Sequence, residues 1–272
     1  MSTRAPTVLE RILAQTRAEV ERRKLQAPLD DAPIPVGERA AAGSGRLREA
    51  LLGREIGVIA EFKRRSPSAG PLREDPDLLG ILDAYRRGGA VAISVLTEGP
   101  NFAGALEDLR AARAACDLPL LRKDFIVDPY QLREARAAGA DAVLLIVAAL
   151  EPAQLAFLHD YARALGLDAL VEVHDREELH AALAAGADIV GVNNRDLRDF
   201  SVDVQRTERL IGDVPPGVVV VSESGISSAG QLRRLQERGV HAVLVGESLM
   251  RSPDPAVALR EMRSFSDADA GL

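Results

Sequence analysis

Four times the chain repeats one phrase: an amphipathic helical stretch, a glycine, and a short β-branched apolar run. The copies read AYRRGGAVAISVL, EARAAGADAVLLIV, ALAAGADIVGV and LQERGVHAVLVGE. Gly89, Gly139, Gly186 and Gly239 stand where a helix would end in a left-handed C-terminal turn. Each following run is too short for a helix and rich in Val and Ile, which predicts a buried strand. Near-continuous apolar strands alternating with amphipathic helices imply a parallel sheet covered by helices.

Eight such strands are predicted: VIAEF from Val58, AISVL from Ala92, PLLRK from Pro119, AVLLIV from Ala142, ALVEV from Ala169, IVGVN from Ile189, VVVVSE from Val218 and AVLVGE from Ala242. The spacing leaves room for one helix between neighbours. Eight units over roughly 200–250 residues match a (β/α)₈ barrel. The rival, a doubly wound open sheet, usually has fewer strands and often a GxGxxG after the first, which is missing here. One barrel domain is therefore expected over 57–263, preceded by a helical extension and linker over 1–56 and followed by a frayed tail over 264–272. Within the extension, TVLERILAQTRAEVERRKLQ has helical periodicity, APLDDAPIPVGERAAAGSGR reads as a Pro/Gly-rich linker, and RLREALLG as a second short helix.

Composition narrows the partners. The 272 residues carry a net charge of -7, which argues against nucleic acid as a main partner but leaves room for a small anion at a local positive site. The longest apolar run, Ala142 to Leu150, is far short of a membrane span, and MSTRAPTVLERIL lacks the apolar core of a signal peptide. The cytoplasm is the expected location. Cys116 is the single cysteine, and His159, His174, His180 and His241 show no metal-ligand spacing, so no metal is expected and each histidine reads as a surface or satisfied structural residue.

The active site of this fold lies at the C-terminal rim of its strands. Glu61 and Lys63 share one side of the first strand, Lys123 follows Leu121 in phase, and Glu172 follows Leu170. Strands one, three, five and seven thus present Lys63, Lys123, Glu172 and Glu223 at similar heights, converging on one cavity. Lysine is scarce: among 34 basic residues only Lys24, Lys63 and Lys123 are lysine. Arginine keeps its proton, whereas a desolvated ammonium titrates nearer neutrality and serves as acid, base or nucleophile. Lys63 and Lys123 are therefore the candidates for proton transfer, and Lys24, on the first helix, reads as a solvated charge. SESGI and GESLM place Ser224, Gly225, Gly246 and Glu247 after the last two strands, the common phosphate cradle of the fold. Ser66 sits in a loop able to hold ligand, Asn193 and Arg195 can fix a polar substrate (Arg195 alternatively pairing with Asp196), and Phe102 and Phe125 suit either an aromatic pocket or packing.

These segments resemble indole-3-glycerol phosphate synthase over almost the whole chain. The resemblance is carried by AEFKRRSPSAG, SVLTEGPNFAG, LLRKDFIVDPYQ, ADAVLLIV, LVEVHD, GVNNRDL, SESGI and GESLMRSPDP, in order, with the N-terminal helix fitting the family's extension. It implies a carbon-carbon lyase of tryptophan biosynthesis that converts 1-(2-carboxyphenylamino)-1-deoxyribulose 5-phosphate to indole-3-glycerol phosphate, CO₂ and water, without a cofactor. By that resemblance Lys123 is the general acid of ring closure and Glu172 the general base of dehydration. Lys63 contacts the carboxylate or phosphate and serves as a later acid, while Glu61 and Asn193 orient these groups. Ser224, Gly225, Gly246 and Glu247 hold phosphate, Phe102, Phe125, Pro67 and Leu144 enclose the anthranilate ring, and Arg195 lies near the substrate. Ala69 and Arg17 depart from the basic residue and the lysine frequent there. The expected partner is a phosphorylated small molecule, with neither nucleic acid nor membrane, and the chain a monomer or weak homo-oligomer. Three rivals stay open: another phosphosugar barrel such as an isomerase, a Schiff-base aldolase using Lys123, and a non-catalytic phosphosugar-binding barrel.

Overall fold

A computed structural model describes residues 6–28, 45–196 and 201–264. Eight parallel strands close into a barrel: β1 (Gly57–Phe62), β2 (Ala92–Leu96), β3 (Leu120–Lys123), β4 (Ala142–Ile146), β5 (Asp168–Val173), β6 (Ile189–Asn193), β7 (Val219–Glu223) and β8 (Ala242–Val245). Each pairs with its sequence neighbours, and β1 closes the ring against β8 through Gly57↔Ala242 to Ala60↔Val245. The (β/α)₈ expectation holds, and the open-sheet rival does not.

Every strand residue but Asp168 and Lys123 is buried, because one face fills the barrel and the other lies under helices. Those helices are α3 (Leu78–Gly88), α4 (Leu106–Ala115), α5 (Pro129–Ala137), α6 (Pro152–Ala164), α7 (Arg176–Ala184), α8 (Arg206–Leu210), α9 (Ala229–Glu237), α10 (Glu247–Arg251) and α11 (Pro255–Arg263). The four glycines of the repeated phrase all have φ between 87° and 89°, the left-handed turn expected of them.

Two helices precede the barrel: α1 (Val8–Gln26), opened by a Thr7–Glu10 capping box, and α2 (Arg46–Leu51). Leu47 and Leu51 of α2 are fully buried, and the Asp168 carboxylate at the start of β5 accepts from the N–H groups of Gly45, Leu47 and Arg48. A half-buried carboxylate thus caps the start of α2 and ties the extension to the barrel. Helix α1 docks through Arg23, whose guanidinium lies 2.6 Å from Glu134 of α5, and through Lys24, 2.6 Å from Asp128. The reading of Lys24 as a solvated charge is therefore corrected: it pairs with the N-cap carboxylate of α5. Most of the expected linker, and the tail beyond Ser264, lie outside the described residues. Among the described residues no helix is long and apolar enough to cross a membrane.

Candidate active site

The C-terminal rim holds a cleft of about 750 Å³. Its wall contains Glu61, Lys63, Ser66, Pro67, Phe102, Lys123, Phe125, Leu144, Glu172, Asn193, Arg195, Glu223, Ser224 and Glu247, so fourteen of the sixteen candidate side chains meet at one place. The other two, Gly225 and Gly246, adjoin Ser224 and Glu247 in sequence.

The floor is charged. Lys123 Nζ lies 3.6 Å from Glu172 Oε2 and 3.4 Å from Glu223 Oε2, joining β3, β5 and β7. Lys63 Nζ donates to Glu61 Oε1 at 2.7 Å, and Ser94 Oγ approaches Glu61 Oε2 at 3.5 Å. Glu172 and Glu223 are 1% exposed and Glu61 3%, so the pairing takes place in a poorly solvated setting. Room for these carboxylates comes from glycines. A Cβ on Gly246 would stand 2.5 Å from Glu61 Oε1, and one on Gly191 would stand 2.2 Å from Glu223 Oε1. Gly246 was expected only to cradle phosphate, and Gly191 was not anticipated.

Three carboxylates surround two ammoniums, and their protonation follows. Burial pulls the Lys123 ammonium toward its neutral form, but Glu223, Glu172 and Glu61 overcome this and hold it more firmly protonated than an ordinary lysine. This corrects the expectation of a lysine titrating nearer neutrality: the three carboxylates keep the Lys123 ammonium protonated. Burial also works to raise the Glu61 carboxyl, yet Lys63 and Lys123 hold it below the usual range. Glu223 goes the other way. Burial, with Glu172 and Glu61 as like charges, pushes it up to about 7 despite Lys123.

The phosphate-candidate loops are polar and cross-linked. Asn193 Oδ1 accepts from Arg195 N at 3.0 Å and from Ser224 Oγ at 2.9 Å, and Arg206 Nη1 donates to its carbonyl. Arg195 reaches Ser68 Oγ at 3.2 Å and Glu247 at 3.8 Å, while Asp196 lies 3.8 Å from Arg206. The Glu247 side chain pairs with Arg195 and Arg251, which leaves its backbone N–H as the part suited to an anion. Ser66 Oγ accepts from Ala69 N, closing the turn that presents Pro67. On the opposite wall the Phe102 and Phe125 rings stand 6.3 Å apart. Phe102 is set by Glu98, whose carboxylate accepts from the N–H groups of Asn101 and Phe102. Among the described residues no group of three or more His, Cys, Asp and Glu is placed to hold a metal ion.

Sequence reasoning missed two features beside the cleft. Arg122 points away from it, 1% exposed, and binds Asp124, Thr97 and Glu134, which also holds Arg23 of α1. The residue before Lys123 is thereby anchored to the extension. His174, read as a surface or satisfied structural histidine, instead sits behind Glu172 with Nε2 buried and without a hydrogen-bond partner among the described residues. His159 departs similarly: it is 1% exposed and neither ring nitrogen is hydrogen bonded among those residues. The strand alternation Glu172–Val173–His174 was a legible signal for the first; nothing local marked the second.

Comparison with known proteins decides the family. The family model described as indole-3-glycerol phosphate synthase matches residues 9–262. The chain belongs to the indole-3-glycerol phosphate synthase family. A relative from Streptomyces coelicolor named indole-3-glycerol phosphate synthase 2 is 50% identical over 253 residues, covering 93% of this chain and 97% of its own. An indole-3-glycerol phosphate synthase from Dehalococcoides mccartyi is 48% identical, covering 94% and 99%. Among solved structures, 3-hexulose-6-phosphate synthase from Salmonella typhimurium aligns with a TM-score of 0.61 at 15% identity, over 76% of this chain and 96% of its own. Thiamine phosphate pyrophosphorylase from Pyrococcus furiosus gives 0.57 at 21%, over 80% and 96%. Those two likenesses concern the barrel alone.

Proposed function

We propose that the cleft closes the indole ring: it takes 1-(2-carboxyphenylamino)-1-deoxyribulose 5-phosphate to indole-3-glycerol phosphate, CO₂ and water. The observation that carries the reading is Lys123 held between Glu172 and Glu223 in the cleft that Phe102 and Phe125 also line. As the ring carbon bearing the carboxylate bonds to the ketone carbon, negative charge gathers on the ketone oxygen, and Lys123 protonates it. Loss of CO₂ from that same ring carbon restores aromaticity and needs no electron-sink cofactor. In the dehydration Lys63 protonates the departing hydroxyl and Glu172 removes the proton whose loss completes the indole. Two protons go to the oxygen that leaves as water and one is recovered, so each turnover draws one from solvent. Glu172 faces Lys123 at 3.6 Å, which suits direct return of the recovered proton.

The other residues position the substrate. Glu61 orients Lys63, Asn193 binds hydroxyl groups, and Phe102, Phe125, Pro67 and Leu144 enclose the aryl ring. Lys63, Ser66, Arg195 and the backbone of Ser224–Gly225 and Gly246–Glu247 take the anionic groups. The firm protonation of Lys123 counts against the Schiff-base rival, which needs a neutral amine. The test supplies the carboxyphenylamino ribulose phosphate and follows indole absorbance and fluorescence. Indole formation is the expected result; folded protein that forms none, or a borohydride-trapped adduct on Lys123, overturns it.

A further inference from the structure

His174 follows the last residue of β5, two positions beyond Glu172, and the strand's alternation carries both side chains to the same side. Its Nε2 lies 3.6 Å from Glu172 Oε1. Both atoms are buried, and neither has a hydrogen-bond partner among the described residues. On the far side of the ring, Nδ1 lies 3.0 Å from Glu178 Oε2, an oxygen that also accepts the His174 backbone N–H at 2.7 Å. A carboxylate oxygen only accepts, so Nδ1 carries a proton. In a neutral ring Nε2 would then aim a lone pair at the Glu172 carboxylate. A second proton on the ring removes that clash and supplies both orphaned atoms with a partner.

We infer that His174 is the positioning residue of Glu172: as an imidazolium held by Glu178, it binds Glu172 Oε1 and leaves Oε2 to Lys123 and the substrate. This rests on the reading of Glu172 as the general base. A base oriented by a third group is the usual arrangement where a side chain must take a proton in one direction. The charged groups facing the imidazole are Glu172 from β5, Glu178 from α7 and Arg206 from α8, and Lys123 from β3 faces Glu172. Burial and Arg206 oppose the charge on His174. The Glu178 hydrogen bond and the two carboxylates outweigh them, holding the ring above the ordinary histidine value. The imidazolium therefore survives to higher pH than that of an ordinary histidine and is lost as pH rises further.

The experiment combines imidazole NMR with rate profiles on the full chain. His174 should titrate above 6.5 in the parent, the ordinary histidine value, and move down by about one pH unit, tenfold in proton affinity, in Glu172→Gln and in Glu178→Gln. With the carboxyphenylamino ribulose phosphate, kcat should fall at alkaline pH in step with that titration. His174→Gln, which keeps a donor near Nε2 but cannot titrate, should lose this alkaline limb while retaining more turnover than His174→Leu, with KM little changed in both. Parent protein that makes indole-3-glycerol phosphate but keeps its limb unaltered in His174→Gln overturns the inference and spares the lyase reading. No product from the parent sinks that reading instead. The NMR arm then decides the pairing alone: a His174 titration indifferent to Glu172→Gln overturns it, and a downward shift sustains it.

Discussion

A methyl group on Gly246 would stand 2.5 Å from Glu61 Oε1 and 3.1 Å from Glu61 Cβ, so rotating the Glu61 carboxylate does not make room. Glu61 is also pinned by Lys63 and Ser94. Gly246→Ala is expected to push Glu61 off Lys63, lowering kcat and costing about 1–3 kcal/mol of stability through overpacking. Rate assays and urea unfolding check both effects. The placement of these residues was legible in advance because strand alternation and the rim rule are local and general. Lys63, Lys123, Glu172 and Glu223 were read from their strand-end positions and phase, and they meet. What the sequence did not disclose was their mutual charge. Two lysines and three carboxylates are visible in a string, but the proximity that keeps Lys123 protonated and lifts Glu223 is not.

Among the elements, the eight strands were placed within two residues of their observed starts, since buried parallel strands are written as continuous apolar runs. The docking of the extension was invisible, because it rests on partners 104 to 121 positions apart: Arg23 with Glu134, Lys24 with Asp128, and Asp168 with the start of α2. Asp168 receives three backbone donors at the start of α2, and its removal takes away their shared acceptor in a half-buried setting. Asp168→Ala should therefore cost about 0.5–2 kcal/mol, the range for losing a carboxylate that caps a helix N-terminus. The loss should appear in equilibrium unfolding while kcat changes little, because α2 lies at the end of the barrel opposite the cleft.

For the whole molecule, the barrel concentrates buried charge at one rim and carries a stability cost there. An ordinary carboxylate of 4.5 describes Glu223 in the unfolded chain, against about 7 in the fold. Between those values the folded state keeps the proton that the unfolded state has released. Stability thus falls as pH rises through this window and stays lower above it. Glu223→Gln, which does not titrate, should be more stable than the parent at about pH 8, by an amount on the order of 3 kcal/mol. The advantage should shrink toward about pH 4.5, and denaturant melts at the two pH values report it.

The proposed chemistry turns on a single proton, and exchanging Lys123 for arginine tests it most directly. Arginine keeps the charge between Glu172 and Glu223 but does not release a proton usefully. With saturating carboxyphenylamino ribulose phosphate, followed by indole fluorescence, Lys123→Arg should fold and bind substrate yet lose roughly 10²–10⁴-fold in kcat, the range general acid catalysis supplies. A folded Lys123→Arg enzyme turning over near the parental rate would contradict the account.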